Sequence, residues 1–200
     1  MAIRAVWFDL GGVLVELGAE DHLRRVMGDR FDSQTFWPRW MASEAVRAHE
    51  TGRMPAEDFA AAITREFDMA VSPEEFLAGF GSWVRGVHDG TLDLLHEVGQ
   101  RHQTALLSNT CQAHWPVIEA TGIPQAIHHV MASFTVGEIK PDRAFFETVI
   151  RTTDTAAHEA VFFDDILINV EAARACGLTA FQVRHPSEAR KHLVKLGLLP

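Results

Sequence analysis

The chain has 200 residues, 47% of them hydrophobic, enough for one α/β domain with a small insertion and a sizeable core. A formal net charge of -9, with no basic stripe on any predicted helix, excludes a nucleic-acid-binding footprint. Cys111 and Cys176 are the two cysteines, and no signal-peptide pattern precedes them, so reduced thiols and a cytoplasmic location are expected; no apolar run nears the roughly 18 residues of a membrane span.

Taken in chain order, a first short apolar run covers Ile3 to Phe8 and stops at Asp9, with Gly11 and Gly12 following. Later runs of the same kind cover Thr104 to Leu107, His129 to Ala132, Ala160 to Phe163 and Thr179 to Val183. Their length and their β-branched or aromatic content predict buried parallel strands. Helical spacing predicts helices over Thr91 to Arg101, Ala113 to Ala120, Arg143 to Arg151 and Asn169 to Ala175, and a closing amphipathic helix over Glu188 to Leu198. Strand alternating with helix predicts a Rossmann-like α/β sandwich around a central parallel sheet. Residues 17-88 break the rhythm, with helix-like segments at Asp21 to Met27, Ser33 to Met41, Pro55 to Glu66 and Pro73 to Val84 and no convincing strand. Ser72-Pro73-Glu74-Glu75 is a helix N-terminal signature. We expect a helical cap over 17-88 inserted into a core made of 1-16 and 89-200.

In an open α/β sheet, ligands bind at the carboxyl ends of the strands. The residues there are Asp9; Ser108, Asn109 and Thr110; Lys140 within Gly137-Glu138-Ile139-Lys140-Pro141; and Asp164 and Asp165. Three carboxylates, a hydroxyl, an amide and one lysine suit a phosphate together with a hard divalent ion such as Mg²⁺. Ser108, Asn109 and Lys140 are candidates to hold phosphoryl oxygens, helped by backbone N-H groups where a helix begins near Ala113. An unpaired buried carboxylate costs several kcal/mol, so Asp9 requires partners of this kind.

On FDLGGVL, LLSNT, EIKPD and VFFDDILIN, four motifs in order from Trp7 to Val170, the chain resembles the haloacid dehalogenase superfamily, and in particular its phosphatases with a small helical cap. FDLGGVL, LLSNT and FFDDxxxNxxxA resemble more narrowly the branch of bacterial glucose-1-phosphate phosphatases and the N-terminal phosphatase domain of soluble epoxide hydrolases. The resemblance implies that Asp9 is the nucleophile, forming an aspartyl-phosphate, and that Lys140 pairs with Asp9 and the phosphate. It further implies Mg²⁺ held by Asp9, the Gly11 carbonyl and Asp165, with Asp164 one shell out, and Gly12 in the substrate-binding loop. The implied partner is a small phosphorylated metabolite, a sugar phosphate first, with neither nucleic acid nor membrane; the sequence leaves the oligomeric state open.

One departure matters. Most phosphatases of the superfamily carry a second Asp two residues after the nucleophile, and here that position is Gly11. A positioned general acid is worth about 10² to 10⁴ in rate, so a substitute is expected either in an acidic leaving group or in the cap, where Glu16, Asp21, His22 and His49 are candidates. The same gap raises two alternatives: a 2-haloacid dehalogenase, which needs no leaving-group proton, and a non-catalytic phosphate-binding or interaction protein. Adjacent Asp164 and Asp165 argue against the metal-free dehalogenase, because neighbouring carboxylates repel. Cys111 near His114 reads as a packing residue rather than a nucleophile, and His128 and His129 as structural. Phe36-Trp37-Pro38-Arg39-Trp40 reads as cap core, with Trp37 or Trp40 facing the crevice as the alternative. Arg39 and Arg47 read as exposed.

Overall fold

The computed structural model describes residues 2-200. Five strands, β1 (Ala5–Phe8), β4 (Gln103–Ser108), β5 (His129–Ala132), β6 (Ala160–Asp164) and β7 (Thr179–Gln182), form one parallel sheet in the order β5-β4-β1-β6-β7. In β1, Ala5 and Trp7 join one apolar cluster while Val6 and Phe8 join another, as the two-residue period of a strand requires. Helices α6 (Thr91–Gly99) and α11 (Pro186–Lys195) cover the Val6 and Phe8 face through Leu94, Leu95, Val98 and Leu193. Helices α9 (Arg143–Thr153) and α10 (Leu167–Ala175) cover the other through Phe145, Phe146, Val149 and Val170. A strand buried on both faces has no polar side to display, which is why these runs read as continuously apolar. Short helices α7 (Trp115–Ala120) and α8 (Ser133–Val136) complete this part.

Between β1 and α6 the chain builds α1 (Ala19–Met27), α2 (Ser33–Ala42), α3 (Glu44–Glu50), α4 (Ala56–Glu66) and α5 (Pro73–Phe80). Their apolar stripes meet in a separate cluster around Leu23, Phe36, Trp40, Phe59, Phe76 and Trp83, which Cys111 joins from below. The Ser72 signature forms the expected reciprocal cap: Glu75 N-H donates to Ser72 Oγ (3.2 Å) and Ser72 N-H donates to Glu75 Oε2 (2.8 Å).

Two expectations need correction here. The interval does contain strand: β3 (Val84–Val87) pairs antiparallel with β2 (Val15–Leu17), joining the two chain crossings into one ribbon. The elements are three and four residues long, half exposed and interrupted by Gly86, so no periodic signal marks them. The helix expected over Pro73 to Val84 ends at Phe80 and tightens into a 3₁₀ turn over Gly81–Trp83, because Gly79 and Gly81 weaken its last turn. The expected limit at 16/17 therefore cuts β2 rather than falling beside it.

Gly79 also serves packing. His22 accepts the Trp83 indole N-H at Nδ1 (2.9 Å), so its Nε2 carries the hydrogen, and that atom, which has no polar partner among the described residues, faces Gly79 where any Cβ would collide. By contrast, a Cβ on Gly81 meets nothing within 4 Å, and its backbone is helical. We expect Gly79→Ala to destabilise the protein by about 1–3 kcal/mol through overpacking, and Gly81→Ala to be neutral or stabilising by up to about 1 kcal/mol. Urea denaturation of the two variants reads this directly; equal midpoints would refute the packing role of Gly79.

Candidate active site

The carboxyl ends of β1, β4 and β6 gather the charged groups. The Lys140 ammonium donates to Asp9 Oδ1 (2.7 Å), to Asp164 Oδ2 (2.7 Å) and to the Leu107 carbonyl (2.8 Å), so all three of its hydrogens are used. Lys140 is 3% exposed and Asp164 fully buried, so these pairs exist in a place where either charge alone would be prohibitive. Desolvation pulls the lysine pKa down, but its two carboxylates outweigh that and hold it above the ordinary lysine value. Asp164 is completed by the Ile166 N-H (2.8 Å) and by Asn169 Nδ2, 3.1 Å from each oxygen.

Asp165 is half-buried and lies against Gly12, whose φ is +70°; a Cβ there would sit 2.7 Å from Asp165 Oδ2. Only glycine accepts both the backbone angle and that approach. Carboxylate oxygens of Asp9, Asp164 and Asp165 lie within 4.8 Å of one another. Three carboxylates against one ammonium leave two formal negative charges, and the set fits a hard dication bound through oxygen. Without one, protons take its place: burial, reinforced by Asp164 and Asp165, pushes Asp9 up to about 8 despite Lys140, and burial next to Asp164 pushes Asp165 up to about 6.

The two residues expected to hold phosphate divide. Ser108 is buried at the end of β4 and lines the cavity above the site. Asn109 lines it too, but its amide is committed: Oδ1 accepts the Lys140 N-H (2.9 Å) and Nδ2 donates to the Lys140 carbonyl (2.8 Å). Asn109 thus clamps the lysine loop, with a second Nδ2 hydrogen that these two bonds do not use. Thr110 is fixed by Ser133, whose Oγ accepts the Thr110 N-H (2.9 Å) and donates to its carbonyl (2.8 Å). Asn169 goes unassigned in the sequence reading, although its place five residues after Asp164, one turn into a helix, is a spacing that could have revealed it.

Above this floor lies a cavity of about 610 Å³ whose walls are apolar, notably Trp37, Trp40, Met41, Phe80, Trp83 and Ile168. Both tryptophans thus face the crevice while packing in the cap cluster. Arg39 instead reaches the Glu66 carbonyl (3.0 Å) and covers the Phe67 ring, and Arg47 lines the cavity and is paired with Asp142. Cys111 is a buried thiol held up at about 11 by desolvation, which makes it inert; His128 and His129 bond to Thr104 and Gln103 as structural groups.

None of the four expected proton donors lines the cavity. Glu16 and Asp21, 58% and 61% exposed, pair with Arg85. His22 is sealed beneath Trp83, and His49 donates to the Met54 carbonyl (2.9 Å) while stacking on Phe59; burial lowers both imidazole pKa values. Besides Asp165, the acid that lines it is Glu50, pushed up to about 7 by burial against the attraction of Lys140. A single acid at a helix end carries no periodic or spacing signal, so sequence reasoning passes over it.

These carboxyl groups set the pH response of the metal-free protein. Their folded pKa values, about 8, 7 and 6 for Asp9, Glu50 and Asp165, lie above the ordinary carboxylate range near 4, so the folded chain binds more protons than the unfolded one between about pH 4 and pH 8. Stability therefore falls as pH rises through that window. Thermal melts should show Tm dropping from pH 5 to pH 8, Mg²⁺ restoring it most at pH 8, and Asp9→Asn flattening both effects; a Tm indifferent to pH and Mg²⁺ would refute the charge excess.

Against known proteins, the family model for haloacid dehalogenase-like hydrolases matches residues 3–177. A phosphatase of Mycobacterium tuberculosis is 23% identical over 203 residues, covering 98% of this chain and 94% of its own. A sesquiterpene phosphatase of Aspergillus oryzae is 43% identical over 54 residues, 27% of this chain and 28% of its own. The magnesium complex of a haloacid dehalogenase family enzyme from Bacteroides thetaiotaomicron superposes with a TM-score of 0.78 at 22% identity, over 98% of this chain and 100% of that one. With the family model spanning nearly the whole sheet and every loop of the site, this chain belongs to the haloacid dehalogenase-like hydrolases.

Proposed function

We propose that this hydrolase is a magnesium-dependent phosphomonoesterase that works through an aspartyl-phosphate on Asp9. The observation that carries the reading is the Asp9-Lys140-Asp164 network with Asp165 beside it: one ammonium among three carboxylates, a set that calls for a dication and an anionic substrate. Asp9, the Gly11 carbonyl and Asp165 would hold the ion, with Asp164 behind them, bonded to Lys140 and Asn169. The bound ion would offset the charge of Asp9 and of the phosphoryl group as the two approach. Lys140 keeps Asp9 oriented and favours its ionised, nucleophilic form, which the bound ion would complete, while Asn109 fixes the lysine loop. Ser108 contributes a hydroxyl toward the phosphoryl oxygens. Water then cleaves the aspartyl-phosphate and restores the Asp9 carboxylate.

A metal-free dehalogenase has no use for the two unneutralised charges, which is what favours phosphoryl transfer over that alternative. The resemblance implies a sugar phosphate, but sugar hydroxyls would find few hydrogen-bonding partners on walls made of Trp37, Trp40, Phe80 and Trp83. The cavity volume lies within the range of about 300–1,000 Å³ usual for small-molecule sites. Its lining favours a phosphate ester of an apolar alcohol, and the partial similarity to a sesquiterpene phosphatase points the same way. The free, reduced cysteines fit a cytoplasmic enzyme.

The test is phosphate release from farnesyl phosphate, octyl phosphate, glucose 1-phosphate and glucose 6-phosphate, with Mg²⁺ and with chelator. We expect Mg²⁺-dependent turnover that Asp9→Asn abolishes, with kcat/KM higher for the apolar esters. Turnover unaffected by chelator or by Asp9→Asn would refute the mechanism, and preference for the glucose phosphates would refute the substrate class.

A further inference from the structure

The absent second Asp leaves a chemical vacancy that the cap can fill. Asp9 attacks from the end of β1, so the leaving oxygen of an in-line displacement must face away from the sheet, toward the cap. Gly11 has no side chain to offer there. The other ionisable groups around the cavity are already engaged. Lys140 is saturated by Asp9, Asp164 and the Leu107 carbonyl. Arg47 is paired with Asp142. The His114 imidazole meets the Phe80 carbonyl through Nε2 (2.9 Å) and Cys111 Sγ through Nδ1 (3.6 Å). Asp165 belongs to the acidic set beside Asp9. Glu50 and Asp165 are the two lining acids with neither an ion pair nor a side-chain hydrogen bond among the described residues, and of the two only Glu50 stands outside the set that would hold the metal.

Its placement is not incidental. Glu50 ends α3, and α3 is tied to the core at two points flanking it. Arg47, one turn earlier, pairs with Asp142, two residues past Lys140. Gly52, two residues later, has φ of +73° and lies so close to α8 that a Cβ would be 2.6 Å from the Phe134 carbonyl oxygen. Thr51 Oγ1 closes the helix end onto the Arg47 carbonyl (2.7 Å). The carboxyl group is thus carried by the cap yet held in register with the lysine loop.

We propose that Glu50 is the proton donor to the leaving group and then the general base for hydrolysis, in place of the carboxyl group missing at Gly11. The inference rests on the phosphomonoesterase reading. In the first half-reaction the bond from Asp9 to phosphorus forms, the ester P-O bond breaks with its electron pair going to the leaving oxygen, and the Glu50 proton moves to that oxygen. In the second, the Glu50 carboxylate takes a proton from the water whose oxygen attacks phosphorus, and the Asp9 carboxylate leaves, returning Glu50 to its acid form. Burial, outweighing the opposing pull of Lys140, keeps the Glu50 carboxyl protonated to about pH 7, which suits a donor. The titratable groups facing it are Lys140, Arg47, Asp165, Cys111 and His114, together with His49 on its own helix.

The experiment compares octyl phosphate, whose alkoxide must be protonated as it leaves, with p-nitrophenyl phosphate, whose nitrophenolate need not be. In kcat/KM, which reports the steps through alcohol release and not the later hydrolysis, Glu50→Gln should lose about 10²- to 10⁴-fold on octyl phosphate but less than about tenfold on p-nitrophenyl phosphate. The wild-type decline in octyl phosphate turnover above about pH 7 should vanish in the variant, and Glu50→Asp should recover part of the rate. Residual p-nitrophenyl phosphate turnover serves as the folding control, with Glu50→Asp as the second variant if Glu50→Gln is lost. Equal losses of kcat/KM on both esters, or none, with Asp9-dependent turnover intact in the wild type, would overturn the role of Glu50 while leaving the phosphatase reading standing. A wild type inert toward both esters would overturn the two together.

Discussion

The ammonium of Lys140 is the interaction on which the site depends. It is buried and uses its three hydrogens on Asp9, Asp164 and the Leu107 carbonyl, which lie on three neighbouring strands of the sheet or at their ends. One charged group thereby fixes the relative positions of β1, β4 and β6 at the edge where substrate must enter. A buried ion pair gains little net stability over an apolar substitute, because desolvation consumes most of the Coulomb energy. What it supplies here is geometry: Asp9 cannot rotate away without stranding a buried charge, and neither can Asp164. The clamp of Asn109 on both sides of the Lys140 backbone extends that constraint to the loop that carries it.

The cap solves a different problem. A group of helices inserted between two strands must bury its own apolar faces, and it does so with an aromatic cluster in which Trp40 contacts Phe36, Phe59, Phe67, Phe80 and Trp83. Trp40 and Trp83, which hold the cap together, are also part of the wall that faces the site, so the shape of the cavity and the stability of the cap cannot vary independently. Aromatic rings suit this double use because they bury large area with few rotatable bonds. The ribbon of β2 and β3 and the pairing of Arg47 with Asp142 then set how that wall stands over the sheet.

How much of this could be read from the amino-acid order depends on whether the determinant is local. The parallel strands were legible to within a residue or two because each is buried on both faces and therefore continuously apolar, and Asp9, Ser108, Asp164 and Asp165 were legible because they end those runs. The pairing of Val15 with Val87 was not, since two short half-exposed segments 72 positions apart gain their order only from each other. The clamp of Asn109 on the lysine loop was not legible, because an amide looks the same in sequence whether it faces a ligand or the neighbouring backbone.

The order of residues by itself determined the alternation of strands and helices, the position of the inserted cap and the chemical character of the loops at the sheet edge, because burial on a periodic backbone writes itself into local patterning. Tertiary structure alone decided that His22 and His49 are sealed inside the cap while Glu50, next to His49 in the chain, opens toward Lys140. Which side of a short helix meets a cavity depends on how that helix docks, through contacts such as Arg47 with Asp142 and Gly52 with Phe134, and those contacts join positions that no local pattern connects.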